Sequence, residues 1–282
     1  MALLLTRAKL DPATCSLPSR ASIAMGISMS SRPSPLVSQP VNGPHILVSD
    51  TAKALDALAT ASRTRADAKI IGVTGSVGKT GTKEALYAAL DRCSFGKAHR
   101  SVKSYNNHVG VPLSLARMPQ DTQYGIFEMG MNHAHELSAL TRLVRPHAAI
   151  ITAIAPAHIG NFPDGEAGIA DAKAEIFEGL EPDGTAIIPH DSPHHQRLRK
   201  KAERHAAHVI SFGFEAGADV RAVDVVSAPR GGSLVTARLG EQSLCFTIAE
   251  AGCTGCPIPS PYSPRCAPSA GTLPPPGLHW PR

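Results

Sequence analysis

Apolar and polar positions in this chain alternate between two patterns, one typical of strands and one typical of helices. Ile70, Ile71 and Val73 form a β-branched run of the kind that buried strands use. The segment 148–154 (AAIITAI) is apolar throughout, which suits a strand covered on both faces of a sheet. The segment 51–65 instead gathers its apolar residues on one helical face: Ala54, Leu55, Leu58 and Ala61.

Strands and helices are predicted to follow one another through the middle of the chain. Strand patterns occur at 45–50, 124–129, 148–154, 185–189 and 209–213, and a further one begins at Lys69. Helix patterns occur at 51–65, 81–92, 135–143, 165–180 and 194–205. This alternation predicts an α/β fold, a mostly parallel sheet flanked by helices. Three more strand patterns, at 219–226, 233–239 and 243–248, predict a small antiparallel set near the C-terminal end.

Composition and charge narrow the class of protein. Fifteen of the 24 prolines lie within 12–44 and 257–281, and the region between these ranges has the composition of an ordinary α/β domain. The formal charge of +5 comes from scattered Lys and Arg, without the basic patch and interleaved aromatic residues of a nucleic-acid interface. No secretory signal or membrane-spanning run is recognisable. We expect a cytoplasmic monomer that binds neither nucleic acid nor membranes.

The segment 69–84 (KIIGVTGSVGKTGTKE) carries the strongest chemical signal. Its glycines let the backbone curl after the strand, so that successive N–H groups point into one concavity at the start of a helix. This arrangement suits a nucleoside triphosphate, with Lys79 on the β/γ oxygens and the Thr80 hydroxyl on Mg²⁺. The match to G-x-x-x-x-G-K-[ST] is imperfect because Val73 stands at the first glycine position, and a turn without a ligand is the alternative. The predicted phosphate-binding residues are Gly75, Ser76, Val77, Gly78, Lys79 and Thr80.

Two side chains follow neighbouring strands at the same predicted edge of the sheet. Glu128 lies at the end of the strand 124–129, and His158 lies just beyond the strand 148–154. Ligands of open α/β sheets bind beyond the carboxyl ends of the strands, where a carboxylate suits Mg²⁺. We therefore predict metal-ligand roles for both residues. The alternatives are a solvated acid and a hydrogen-bonded structural histidine.

Residues 72–180 closely resemble the muramyl (Mur) ligases of bacterial cell-wall synthesis. The motifs that follow the family in order and spacing are TGSVGKT (74–80), YNNHVGVP (105–112), FEMGMN (127–132) and HIGNFPDGEAGIADAKAEIF (158–177). The family's phosphate loop also lacks a glycine at the position of Val73, which removes the misfit noted above. FEMGMN is similar to the members that add D-alanyl-D-alanine. The likeness extends more weakly over 36–252.

The resemblance implies roles for individual residues. The 75–79 loop would hold the ATP phosphates, and Thr80 with Glu128 would bind a first Mg²⁺. His158 would bind a second Mg²⁺, and Lys173 matches a carbamylated lysine whose carbamate is directed toward that second metal. On this basis the catalytic candidates are Lys79, His158 and Lys173, and the substrate-binding candidates are Asn106 and Asn107. Without the resemblance, Lys173 would be an ordinary exposed helical lysine and the two asparagines ordinary loop residues.

The implied reaction is the ATP-dependent formation of a C–N bond in peptidoglycan precursor synthesis. The γ-phosphoryl group of ATP passes to the terminal carboxylate of UDP-N-acetylmuramoyl-tripeptide, and the amine of D-alanyl-D-alanine then attacks the acyl phosphate. A second interpretation is a stand-alone P-loop nucleotide-binding or regulatory module without ligase chemistry. Such a module would have no need of His158 or Lys173.

The resemblance also divides the chain into four segments. Residues 1–35 are predicted to be unstructured, 36–68 a remnant of an N-terminal domain with a linker helix, 69–252 an incomplete central ATP-binding domain, and 253–282 a disordered Pro-rich tail. For both end segments, codons can be chosen that encode an amino-acid sequence resembling the family when they are read in another frame. We therefore expect frame-shifts in these segments. We accordingly expect this chain to be impaired as a ligase.

Overall fold

A nine-stranded sheet forms the framework of the protein. The computed structural model describes residues 27–28, 33–43, 45–157, 159–227 and 232–248. The strands are β1 (Ile27–Ser28), β2 (Pro33–Ser34), β3 (Leu36–Val37), β4 (Ile46–Leu47), β5 (Lys69–Thr74), β6 (Ala98–Arg100), β7 (Tyr124–Glu128), β8 (Ala148–Ile151), β9 (Thr185–Pro189), β10 (His208–Gly213), β11 (Val220–Ser227), β12 (Ser233–Leu239) and β13 (Gln242–Ile248). The helices are α1 (Thr51–Arg65), α2 (Lys79–Cys93), α3 (Gly110–Ala116), α4 (Glu136–Val144), α5 (Glu166–Ala174) and α6 (His195–Ala202).

The strand order creates a crevice beside β5. The order across the sheet is β6-β7-β5-β8-β9-β10-β11-β12-β13, and every pairing from β6 to β11 is parallel. After β5 the chain builds β6 and β7 on one side and then crosses to β8 on the other side. The carboxyl ends of β5, β7 and β8 therefore meet where the winding reverses, which is the usual binding position in open α/β sheets.

Helices cover both faces of the sheet, because successive strand residues point to opposite sides. On one face, a large cluster joins strand residues to α4 and α5, including Ile70, Phe127, Leu137 and Ile169. On the other face, a smaller cluster packs the strands against α2: Val73, Ile126, Ile150, Leu86 and Leu90. The predicted α/β class, with a mostly parallel sheet flanked by helices, is confirmed. None of the described helices is both long enough and apolar enough to span a bilayer.

Helix α1 joins a small N-terminal cluster to the sheet. Its predicted bounds, Thr51–Arg65, are confirmed, and Asp50 caps its first turn by accepting from two backbone N–H groups. Leu36 of β3 and Leu55 of α1 belong to one apolar cluster, against which side chains of α3 also pack. The helix thereby places the short parallel pair β3–β4 against the rest of the protein.

Arg63 anchors the other end of α1. Its Nε donates to the carbonyl of Val144 at 2.9 Å, and one terminal nitrogen donates to the carbonyl of Arg145 at 2.8 Å and to Glu181 at 3.0 Å. Val144 and Arg145 lie at the C-terminal end of α4, where carbonyl groups lack helical partners and a positive charge is favourable. A buried guanidinium at this point satisfies them and locks α1 to α4.

The structure differs from the predicted elements in two helical regions. No helix was predicted near Val111-Pro112, but α3 begins at Gly110 and carries Pro112 in its first turn, where a missing N–H costs little. The single helix predicted over 165–180 is instead α5 followed by a 3-10 helix, Glu175–Gly179. The predicted antiparallel set near the C-terminal end is confirmed, since β12 pairs antiparallel with both β11 and β13, while β11 joins it to the parallel sheet through β10.

The predicted terminal segments are largely beyond the described residues. Within 1–35, the structure describes β1 and β2, which pair antiparallel where no strand was predicted. The other residues up to 32, and the whole predicted tail 253–282, lie outside the part of the chain that the structure describes. The predicted four-segment division stays a prediction.

Candidate functional site

The loop after β5 has a backbone that requires glycine at two positions. Gly75 has φ +149° and Gly78 has φ +86°, conformations that side-chain-bearing residues rarely adopt. A Cβ on Gly75 would also lie 1.9 Å from the hydroxyl oxygen of Thr152. Gly78 then leads directly into α2, whose first residue is Lys79. The predicted strand–loop–helix sequence is therefore present, with its loop at the N-terminus of a helix.

The segment after β8 holds this loop in place. The N–H of Ser76 donates to the carbonyl of Ala153 at 2.8 Å, and its hydroxyl donates to the carbonyl of Ala155 at 2.9 Å. The hydroxyl of Thr152 donates to the carbonyl of Val77 at 2.5 Å. The loop is thus fixed by bonds from a neighbouring strand end, which pre-shapes the concavity before any ligand arrives.

Lys79 lies over the loop that precedes it. Its ammonium group donates to the carbonyl of Gly75 at 2.7 Å and lies 3.4 Å from the carbonyl of Ser76. Burial lowers the pKa of this lysine, and the nearby carboxylate of Glu128 opposes the change. A partly buried cation above a curled backbone at a helix N-terminus attracts anions.

Glu128, at the end of β7, is buried with both carboxylate oxygens engaged. One oxygen accepts from the hydroxyl of Thr80 at 2.9 Å, and the other accepts from the side-chain amide of Asn106 at 2.9 Å. Lys83, which the sequence did not single out, brings its ammonium to 3.6 Å from the oxygen shared with Thr80. The carboxylate therefore faces α2 and the phosphate loop, as the sequence predicted for Glu128.

The two predicted substrate-binding asparagines have distinct structural tasks. The carbonyl of Asn106 accepts from the N–H of Gly130 at 2.7 Å, and a Cβ on Gly130 would lie 2.9 Å from the Asn106 side chain. The side-chain oxygen of Asn107 accepts from the N–H groups of Val109 and Gly110, at 3.2 and 2.8 Å, at the start of α3. Asn106 orients Glu128, and Asn107 caps a helix, while both line the cavity described next.

A cavity of about 560 Å³ opens over the loop. Its lining includes Gly75, Ser76, Lys79, Asn106, Asn107, Met131 and Lys173. Lys173 is only 4% exposed, unlike an ordinary helical lysine. Burial and the positive charge of Lys79 lower the pKa of Lys173 to about 7. The structure thus brings Lys173 to the same cavity as the phosphate loop, whereas His158 lies outside the described residues.

The comparison with family models identifies the chain. The Mur ligase middle domain model matches residues 73–252, which contain the loop, Glu128 and Lys173. The chain belongs to the Mur ligase family. The family resemblance inferred from the sequence motifs is confirmed.

Several relatives of this Mur ligase chain carry the same name. It is 42% identical over 154 residues to the UDP-N-acetylmuramoyl-tripeptide–D-alanyl-D-alanine ligase of Bacillus subtilis, which covers 55% of this chain and 33% of the relative. It is 38% identical over 159 residues to the ligase of the same name from Escherichia coli, covering 56% and 34%. A crystal structure of MurF from Acinetobacter baumannii superposes with a TM-score of 0.68 at 33% identity, covering 77% of this chain and 46% of that one. The chain thus spans about a third of the length of these curated relatives.

Proposed function

We propose that this chain binds ATP with Mg²⁺ in the cavity beside β5 and carries the ATP-activating site of a D-alanyl-D-alanine-adding Mur ligase. The observation that carries the proposal is the 2.9 Å bond from the Thr80 hydroxyl to Glu128, directly after the phosphate loop. A hydroxyl and a carboxylate meeting at this point form a pair of oxygen ligands next to an anion-binding concavity. The names of the relatives support the choice of substrates.

The Thr80 hydroxyl and the Glu128 carboxylate suit Mg²⁺, which needs few protein ligands, better than they suit a metal whose ligands all come from the protein. Among the residues that the structure describes, no group of three or more His, Cys, Asp or Glu side chains could hold a metal ion. A metal bound by Thr80 and Glu128 would therefore take its other ligands from phosphate and water, as Mg²⁺ usually does. Mg²⁺ bound at this position would supply positive charge to the phosphate oxygens. A second Mg²⁺ site, with His158 as ligand, rests on the sequence resemblance.

The chain's own groups would hold and orient the triphosphate. Backbone N–H groups of the loop and the N-terminus of α2 favour phosphate oxygens. The ammonium of Lys79 donates to the carbonyl of Gly75 in the structure. With ATP bound, it would instead donate to the β/γ oxygens and balance the charge that develops on them. Asn106 would keep the Glu128 carboxylate turned toward Thr80 through its 2.9 Å bond.

Lys173 has the chemistry needed for carbamylation. A pKa of about 7 leaves a large fraction of the side chain as the free amine at neutral pH. That amine can attack CO₂, forming an N–C bond and releasing one proton. The product is a carbamate anion, which would replace the repulsion between Lys173 and Lys79 by attraction. We propose this modification as part of the active site.

The proposed ligation has two balanced steps. A carboxylate oxygen of UDP-N-acetylmuramoyl-tripeptide attacks the γ-phosphorus of ATP, and ADP leaves. The amine of D-alanyl-D-alanine then attacks the acyl phosphate, inorganic phosphate leaves, and the amine gives up a proton. The proposal includes a cytoplasmic location and a monomeric protein, as expected from the sequence.

Nucleotide binding by the Lys79→Ala variant tests the proposal. Wild type should bind a fluorescent ATP analogue more tightly with Mg²⁺ than without it, and Lys79→Ala should lose at least about tenfold in affinity, since it removes the loop's ammonium group. The matched control is Lys97→Ala, which alters an exposed lysine paired with Asp121. Equal affinity in wild type and Lys79→Ala would contradict the assigned loop.

Binding of the muramyl precursor separates the ligase from the stand-alone nucleotide module. UDP-N-acetylmuramoyl-tripeptide should bind to the ATP-loaded chain in a calorimetric titration. Lys173 supports this outcome, because a simple nucleotide switch has no use for a buried amine in its phosphate cavity. Nucleotide binding without any precursor binding would favour the stand-alone module.

A further inference from the structure

Lys83 is a buried cation that the proposed chemistry does not use. Its side chain has no exposed surface, and it is the one buried residue of α2. It lies four residues after Lys79 and three after Thr80, so the three side chains share one side of the helix. Burying an ammonium is expensive unless it is paired and hydrogen-bonded. Its partners therefore indicate why the fold keeps it.

The ammonium of Lys83 reaches three separate parts of the protein. It donates a hydrogen bond to the backbone carbonyl of Lys103. It also lies 3.6 Å from a carboxylate oxygen of Glu128 and 3.3 Å from one of Glu84. Glu84 is in turn held by Arg100 of β6 at 2.9 Å. One charge thus connects the helix of the phosphate loop, the end of β7 and the 101–107 loop.

The 101–107 loop has a conformation that needs external support. Lys103 has φ +52°, in the left-handed region that residues other than glycine disfavour, and its side chain is exposed to solvent. Three residues later, Asn106 donates its amide to the second oxygen of Glu128. The loop therefore holds one oxygen of Glu128 while Lys83 holds both the loop and the other oxygen.

We propose that Lys83 is a positioning residue: its ammonium fixes the 101–107 loop and the Glu128 carboxylate relative to the phosphate loop. The inference rests on the proposed function for its consequence, because a carboxylate fixed in this way is ready to act as a Mg²⁺ ligand. The support of the 101–107 loop by Lys83 follows from the contacts alone and does not depend on the proposed function. The residue acts through Lys103 and Glu128 and touches no substrate.

Trypsin cleavage after Lys103 tests, without any ligand, whether Lys83 supports the 101–107 loop. In Lys83→Met the carbonyl of Lys103 loses its donor, so the loop should open more often. Cleavage after Lys103 should then become at least about tenfold faster by peptide mass spectrometry. Cleavage after Lys200, an exposed residue of α6, serves as an internal reference. Lys97→Met is the matched control for replacing a lysine by methionine. Unchanged cleavage after Lys103 in a folded Lys83→Met protein would overturn the proposal.

Lys83→Met leaves Glu128 buried without its cation, which can unfold the protein. The double variant Lys83→Met/Glu128→Gln removes both charges and should therefore fold. Its cleavage after Lys103 is compared with that of Glu128→Gln alone, and a rate about tenfold higher is again expected. A double variant that also fails to fold would mean that Lys83 supports the whole domain rather than the loop, which would overturn the proposal.

Mg²⁺ dependence separates this inference from the proposed function. The readout is the ratio of ATP-analogue affinities with and without Mg²⁺. Wild type should show a ratio well above one, and folded Lys83→Met should lose most of it while keeping its Mg²⁺-free affinity. A wild-type ratio of one would refute the proposed metal site, and the cleavage result would still judge Lys83. A normal ratio in Lys83→Met would refute the positioning role.

Discussion

Replacing Lys173 by methionine should change how the stability of this protein depends on pH. Burial and the neighbouring Lys79 lower the pKa of Lys173 from its ordinary value of 10.5 to about 7. The unfolded chain therefore binds more protons than the folded chain between these two values. It follows that the free energy of unfolding of the wild type rises as the pH rises through this window.

The size of the effect follows from the pKa difference. One pKa unit corresponds to about 1.4 kcal/mol, so the charged form of Lys173 costs the folded state on the order of 4–5 kcal/mol near pH 7. Between pH 7 and pH 9 the wild type should gain about 2 kcal/mol relative to Lys173→Met, since Lys173 is already half deprotonated at the lower pH. The methionine variant should be the more stable of the two at pH 7, and its advantage should shrink as the pH rises.

Urea unfolding followed by circular dichroism measures this difference at pH 7, 8 and 9. The buffers must be free of CO₂, because a carbamate on Lys173 would remove the titrating amine. Lys200→Met, which alters an exposed lysine of α6, controls for the loss of one positive charge. Parallel pH profiles for wild type and Lys173→Met would refute the assigned environment of Lys173. If the assignment of Lys173 is right, adding bicarbonate should stabilise the wild type and have no effect on Lys173→Met.

The packing leads us to expect stability changes in three further variants. Gly75→Ala should destabilise the protein by about 1–3 kcal/mol in thermal unfolding, because a Cβ would lie 1.9 Å from the nearest side-chain oxygen at a φ of +149°. Gly81→Ala in the same segment should instead stabilise by about 0.5–1 kcal/mol, as a helical position with open space around it. Arg63→Met should cost about 2–4 kcal/mol in urea unfolding, because it strands the carbonyls of Val144 and Arg145. A loss below about 0.5 kcal/mol would show that water replaces the guanidinium.

The elements that could be predicted from the sequence are those with a local signal. The bounds of α1 were predictable because Asp50 provides a cap and the apolar spacing is helical. The phosphate loop was recognisable because its glycines and Gly-Lys-Thr are contiguous. Strand β6 has three residues and α3 has seven, with Pro112 inside it, so neither offers a periodic pattern long enough to detect.

The contacts within the site were less predictable, because they depend on where distant segments meet. The resemblance named Asn106 as a substrate-binding residue, which stays a prediction, and nothing local indicated that its amide bonds to Glu128, 22 positions further along the chain. Lys83 looked like any charged residue in the second turn of a helix, because nothing local reveals that the 101–107 loop covers it. The spacing of four residues from Lys79, about one helical turn, was the available signal, and it gains meaning only beside the end of β7.

The packing of α1 connects the cavity over the phosphate loop to the N-terminal strands β3 and β4. A helix of this length is a stiff rod of about 22 Å. Near one end of the helix, Arg63 is hydrogen-bonded to the C-terminal end of α4, and nearer the other end Leu55 packs in one cluster with Leu36 of β3. Its flank rests on α3, whose first turn is capped by Asn107 at the wall of the cavity. Any displacement of Asn107 would therefore act on α3, and through the packing of α3 on the helix that holds β3 and β4.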